Sequence, residues 1–240
     1  MKMGQAQIAS GAPNTRPRIR LHEFAGSQAL YDAAFITISK LAREAISARN
    51  AFHLVLAGGN TPLPLYRRLN GLDTNWNAWH LYLGDERCLP GDHPERNSFL
   101  INEAWLNESP IPKNQIHFIA AESDAETAAL EYAKSIEGVK FDLVLLGVGE
   151  DGHTASLFPG KDWGEAEDAF PVLAVHDAPK MPPDRVSLSA RRLSDARTVI
   201  FLVSGISKRD AMTRLIAGDR IPASSINPES GIDIYADFRL

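Results

Sequence analysis

The sequence predicts an α/β fold, a single-domain α/β/α sandwich with a mostly parallel central sheet. Strand-like and helix-like segments alternate along the chain, the order that places crossover helices between parallel strands. The run Phe141-Asp142-Leu143-Val144-Leu145-Leu146 reads as a strand covered on both faces, as in the interior of such a sheet. With 240 residues, 44% of them apolar, the chain can bury one large core. No internal repeat, low-complexity tract or clear linker divides it.

Taken in order, residues 1–17 are expected to be a loose tail and 18–240 the folded domain. Met1 to Arg20 carries basic residues and no acid but has no apolar centre, so it is no secretory signal; a short organellar transit segment is the alternative to a plain tail. Arg18 to Glu23 reads as a first strand. Ser27 is the expected N-cap of a helix to about Arg49, apolar at Leu30, Ala33, Ala34, Ile38, Leu41 and Ala45. Ala51 to Ala57 is a strand, and Pro62, at a first helical position, opens a short helix to Leu69. Trp79 to Leu83 is a strand, and a helix from Asn97 to Leu106 ends before Pro110. A short strand Ile116 to Ile119 precedes a helix from about Asp124 to Ile136. After the central strand come strand-like segments at Pro171 to Val175, Arg185 to Ser189 and Thr198 to Val203, then a helix from about Ser207 to Ile216.

Composition excludes several function classes. Net charge is −5 with no long block of one sign, which argues against a nucleic-acid or membrane-surface partner. No apolar stretch approaches a membrane span in length. The single cysteine, Cys88, allows no internal disulfide framework and fits a reducing, cytoplasmic setting. No pair of histidines or cysteines has metal-ligand spacing, so no metal site is expected.

The most informative stretch is Phe141 to Pro159, FDLVLLGVGEDGHTASLFP. Gly147, Gly149 and Gly152 are expected to supply positive-φ turns and close backbone approach. Asp151, Gly152, His153 and Thr154 then follow in a tight loop opening a short helix, at the carboxyl end of a strand, where open α/β sheets bind ligands. His153 is a proton-transfer residue in that place. The three glycines also spell the dinucleotide fingerprint G-x-G-x-x-G, with Asp177 near the right distance for its acid. Pro159 and Gly160 cut the following helix short, and a dinucleotide loop has no need of the histidine.

Three further clusters sit where strands end. Gly58-Gly59-Asn60-Thr61 precedes Pro62, leaving backbone N–H groups free to face an anion; the Walker lysine is absent. The strand ending Leu81-Tyr82-Leu83 leads into Gly84-Asp85-Glu86-Arg87-Cys88, then a loop from Pro90 that reaches Asn97, and Arg87 at this strand end is a candidate fork for a phosphate or carboxylate. Cys88 reads as packing before it reads as a nucleophile. Lys208 falls in a first helical turn, where a cation is slightly disfavoured unless an anion docks beside it. His176, Arg191, Arg192 and Arg197 read as surface residues.

Four blocks in order, LVLAGGNTPLPLY, YLGDERCLPGDHPERNSF, FDLVLLGVGEDGHTASLFPG and RVSLSARRLSDARTVIFLVSGISKRDAM, make the chain resemble the 6-phosphogluconolactonases, in the superfamily that includes glucosamine-6-phosphate deaminase. Asn60 stands where that pattern usually has Ser, and Arg96-Asn97 where Ser-Asn is common. The deaminases tend to read Asp-Glu-Tyr at Asp85-Glu86-Arg87 and Ala-Phe-Asn-Glu-Pro at Ala155 to Pro159; this chain has the lactonase form at both.

The resemblance implies hydrolysis of a phosphosugar lactone, 6-phospho-D-glucono-1,5-lactone, in the oxidative pentose phosphate pathway. It implies His153 as general base on water, with Asp151 orienting its ring or binding a hydroxyl. Arg87, Arg185 and Lys208 would hold the phosphate, and Gly58, Gly59, Asn60 and Thr61 would border sugar and phosphate. Asp85, Asn97 and Gly149 complete the implied substrate-binding set. A catalytically silent sugar-phosphate sensor is the rival of another class, and the chain is expected to act as a monomer or weak homo-oligomer.

Overall fold

The computed structural model describes residues 17–122 and 124–240; the expected tail, apart from Pro17, lies outside the described residues. The chain runs β1 (Ile19–Glu23), α1 (Ser27–Arg49), β2 (Phe52–Leu56), α2 (Leu63–Leu69), β3 (Trp79–Leu83), β4 (Asp85–Arg87), α3 (Asn97–Ile101), β5 (Ile116–His117) and α4 (Ala125–Ser135). It continues as β6 (Leu143–Leu146), β7 (Val172–Val175), β8 (Arg185–Leu188), α5 (Ala190–Ser194), β9 (Val199–Val203), α6 (Arg209–Ala217) and β10 (Ile232–Ala236). Seven strands form one sheet in the order β1-β10-β9-β6-β2-β3-β5, and every pair in it is parallel. All of β6 and β9 is buried, as expected of central strands covered by helices on both faces.

Four features depart from the sequence reading. The first is β10, which sits between β1 and β9 although no strand was expected after residue 216. Its Asp233 is held by Arg20 through Nε at 2.8 Å and Nη2 at 2.6 Å, and by His22 at 2.9 Å, across the β1 pairing. The second is a separate three-stranded antiparallel sheet, β4-β8-β7. It makes Asp85-Glu86-Arg87, expected only to trail the 79–83 strand, a strand of its own, and sets Arg87 directly opposite Arg185.

Thirdly, no helix follows His153. Thr154 and Leu157 close a turn as an isolated bridge, with Ala155 at φ 47°. Because β6 has β2 and β9 as neighbours while β7 belongs to the small sheet, Asp177 is not at the tip of an adjoining parallel strand. The helix and acid of a dinucleotide site are both missing from that loop. Fourthly, helix starts and charges differ locally. Gly26, with φ 103°, is the N-cap of α1 and Ser27 its first residue, with no side-chain cap. Arg192, read as a surface residue, is buried: its guanidinium lies 3.9 Å over the Phe141 ring and donates to Val139 O at 2.6 Å.

Among the described residues, no helix is long and apolar enough to cross a membrane.

Candidate active site

The carboxyl ends of β2, β3, β6 and β9 open on a cavity of about 210 Å³. Each strand delivers one loop to it, because parallel strands all end on the same edge. Gly58, Gly59, Asn60 and Thr61 follow β2, Asp85 and Arg87 follow β3, Gly149 and His153 follow β6, and Lys208 follows β9. Asn97 enters from α3 and Arg185 from β8. All of these line the cavity; Asp151 stands behind His153 instead.

His153 is fixed from the rear. Its Nδ1 lies 2.5 Å from Asp151 Oδ1, which also accepts from His153 N at 3.2 Å. Burial pushes the Asp151 carboxyl up, but the hydrogen bond and charge of His153 outweigh it and leave the group below the usual carboxylate range. An ionised Asp151 requires the proton on Nδ1, so Nε2, which has no partner among the described residues, keeps its lone pair. Burial is the largest influence on His153 and lowers its pKa below the ordinary imidazole value; Asp151 opposes that, and the charge of Lys180 adds to it. The ring packs 4.9 Å from Phe158.

The expected glycine geometry holds in two parts. Gly152 has φ 88°, and a Cβ at Gly149 would stand 1.9 Å from His153 Nδ1. Gly147 has neither a positive φ nor a close neighbour; its carbonyl accepts from Thr154 Oγ1 at 2.9 Å. Gly58 also serves approach, since a Cβ there would meet Asn97 Oδ1 at 2.0 Å.

Arg87, Arg185 and Lys208 line the same cavity as the histidine. Arg87 and Arg185 face each other across the β4–β8 register, an arrangement that like charges disfavour unless an anion lies between them. Arg87 Nη1 donates to Glu95 O, while its Nε is buried without a partner. Arg185 spends Nε and Nη2 on the carbonyls of Pro182, Lys180 and Met181, at 3.0–3.1 Å. Burial and the neighbouring Arg87 charge lower its pKa, against the pull of Asp85. Lys208 Nζ lies 3.5 Å from Glu150 Oε1. The N–H groups of Gly59, Asn60 and Thr61 find no acceptor among the described residues, so the loop after β2 offers donors to an anion.

Asp85 is the one carboxylate among the described lining residues, and both its oxygens are occupied. Oδ1 accepts from Asn97 Nδ2 at 3.1 Å and Oδ2 from Ser156 Oγ at 2.6 Å. Ser156, Glu86 and Lys180 were not singled out by the sequence reading. Glu86 gave no local signal, since its inward direction follows only from the β4–β8 pairing. Lys180 gave none, because the Pro-rich segment around it follows no periodicity. Cys88 is half-buried and its thiol is pushed up to about 11 by burial, which removes it as a thiolate nucleophile at neutral pH. Among the described residues no group of three or more His, Cys, Asp or Glu side chains could hold a metal ion.

Comparison with known proteins agrees with this geometry. The family model described as glucosamine-6-phosphate isomerases/6-phosphogluconolactonase matches residues 25–235. A 6-phosphogluconolactonase of Synechocystis is 34% identical over 216 residues, covering 84% of this chain and 88% of that protein. The human 6-phosphogluconolactonase is 36% identical over 77% of each chain. The crystal structure of the Thermotoga maritima 6-phosphogluconolactonase superposes with a TM-score of 0.85 at 27% identity, over 92% of this chain and all of that one. The chain belongs to the glucosamine-6-phosphate isomerase/6-phosphogluconolactonase family.

Proposed function

We propose that this chain hydrolyses 6-phospho-D-glucono-1,5-lactone to 6-phospho-D-gluconate, in the oxidative pentose phosphate pathway, with His153 as general base. The observation that carries the reading is the placing of His153, held at Nδ1 by Asp151 and open at Nε2, in one cavity with the opposed guanidinium groups of Arg87 and Arg185. Nε2 takes a proton from water as the water oxygen bonds to C1. The tetrahedral intermediate then expels the ring oxygen, which receives that proton back from the imidazolium. Arg87, Lys208 and the free N–H groups after β2 hold the dianionic phosphate, with Arg185 offering its remaining Nη1. Asn97, Asp85 and Gly149 shape the sugar side of the cavity.

The deaminase reading within the same family is less well supported. Ring opening and C1–C2 proton transfer need a second free acid or base, and Asp85 has both oxygens engaged by Asn97 and Ser156. The test is to generate the lactone enzymatically from glucose 6-phosphate and follow its disappearance with and without this protein. Decay no faster than the spontaneous background would sink the proposal, as would release of ammonia from glucosamine 6-phosphate at a comparable rate.

A further inference from the structure

The segment between β7 and β8 passes beside His153 and is anchored along its length. Ala178 N donates to Pro183 O at 2.9 Å. His176 lies 2.7 Å from both Asp184 and Glu126. Arg185, itself a lining residue, binds the carbonyls of Lys180 and Met181 through Nη2 and that of Pro182 through Nε. Residue 180 is therefore held in place by its backbone, while its side chain stays about half exposed. That side chain brings Nζ to 3.4 Å from His153 Nδ1 and 3.9 Å from Asp151 Oδ1.

A carboxylate behind a catalytic imidazole has two opposed effects. It fixes the tautomer and the ring plane, and it also favours the imidazolium, which cannot accept a proton. The groups facing His153 are few. Asp151 and, more weakly, Asp85 favour the charged ring, Lys180 opposes them, and Phe158 covers one face. Glu150, on the same loop, and Lys208, on the loop after β9, are paired with each other, and the Arg185 guanidinium lies over the Phe158 ring at 5.4 Å. Since Nδ1 already donates to Asp151, the Lys180 ammonium acts on the pair through its charge and not as a hydrogen-bond donor to the ring.

We propose that Lys180 is a positioning residue for the hydrolysis, its ammonium countering the Asp151 carboxylate so that His153 stays oriented yet neutral and able to take a proton at Nε2. The proposal rests on the reading of His153 as the base. It assigns the irregular segment a chemical task, and it gives Arg185 a second one, that of fixing where the Lys180 charge stands.

Lys180→Met and Lys180→Arg test it, with Lys180→Gln as a second neutral variant and thermal unfolding as the check on folding. Two quantities are followed between about pH 5 and 8: kcat/KM after subtraction of spontaneous hydrolysis, and the titration of the His153 ring by NMR in the free protein. Removing the cation should move both the acid limb and the ring midpoint upward by about 0.5–1 pH unit, as for a partly screened charge at this range. The alkaline plateau of kcat should stay within about twofold, and Lys180→Arg should restore the acid limb. A ring midpoint unmoved in both neutral variants overturns the proposal. So does a raised KM with an unmoved acid limb, which would make Lys180 a direct substrate contact. A ring midpoint that moves while the acid limb does not would uphold the coupling of Lys180 to His153 and overturn His153 as the base.

Discussion

The buried Glu86 carboxylate caps the helix that begins at Asn97: Oε1 accepts from Asn97 N at 2.8 Å and Oε2 from Ser98 N at 2.9 Å. Oε1 also accepts from Arg87 N at 2.7 Å, and buried Arg96 stands 3.4 Å from Oε2 as an ion pair. One acid with no exposure thus ties Arg87 and Asn97, both lining residues, to a common support. Glu86→Ala should lose more than about 1–3 kcal/mol in urea unfolding, because it leaves the N–H groups of Arg87, Asn97 and Ser98 without their acceptor while Arg96 keeps Glu122. Glu86→Gln keeps one acceptor oxygen and should fall between. An alanine variant as stable as the parent would remove Glu86 from this role.

Gly149 and Gly152 should separate activity from stability. A Cβ at Gly149 would occupy the place of the His153 ring, at 1.9 Å from Nδ1 and 2.0 Å from Cε1. The imidazole can swing away, so Gly149→Ala should fold and lose roughly 10²–10⁴-fold in kcat, the contribution of a positioned base. Gly152 has φ 88°, and its Cβ would sit 2.9 Å from Ile221 Cβ. Gly152→Ala should therefore destabilise the fold by more than about 1 kcal/mol. The reverse pattern, a stable Gly152→Ala and an active Gly149→Ala, would contradict the turn geometry.

Asp151→Asn should leave His153 in place but free its tautomer, since an amide can donate to Nδ1 as readily as accept from it. We expect kcat to fall by about two orders of magnitude or more with KM little changed. For the parent protein the acid limb of kcat/KM should lie below the ordinary imidazole value of about 6.5, because burial lowers the His153 pKa. An acid limb clearly above that value would point to another group.

Arg87→Met should weaken phosphorylated ligands selectively. The opposed Arg87 and Arg185, with Lys208 lining the same cavity, suit an anion between them. A loss of roughly 2–5 kcal/mol in binding of 6-phosphogluconate is expected, with little effect on unphosphorylated gluconolactone. Equal losses on both would place the phosphate elsewhere. Arg185→Met should in addition loosen the 176–184 segment, because three of its carbonyls lose their donor.

Much of this site is legible in the sequence because parallel strands end on one edge, so residues after apolar runs at 52–56, 79–83, 143–146 and 199–203 must meet there. What escaped depends on pairing between distant segments. Asp85 to Arg87 is a strand only because β8 lies antiparallel beside it. The alternation Ile232-Asp233-Ile234-Tyr235-Ala236 has strand period, but its Asp233 makes sense only beside Arg20 and His22. Ser156, Arg96 and Lys180 act through contacts with Asp85, Glu122 and His153, 71, 26 and 27 residues away in the chain, which no local pattern encodes.

At the other end of the sheet, three histidines from adjoining strands should make the fold sensitive to acid. His53 and His80 are register partners with rings 4.8 Å apart, and His117 lies 6.1 Å beyond His80 and stacks on Tyr82 at 4.5 Å. Burial lowers the pKa of all three; the neighbouring His80 charge adds to this for His53 and His117, Arg49 opposes protonation of His53, and Asp142 alone favours it. With folded values depressed, the unfolded chain binds more protons once the pH drops below its imidazole value of about 6.5. Stability is then complete above that pH and declines as the pH falls from there toward the folded values, with His153 contributing in the same sense. The midpoint of urea unfolding should be level from about pH 7 to 8 and fall steadily toward pH 5. His80→Phe keeps a ring between His53 and His117 while removing the charge that each of them feels, so its decline should be shallower than the parent's. An equally steep decline in that variant would assign the acid sensitivity to other groups.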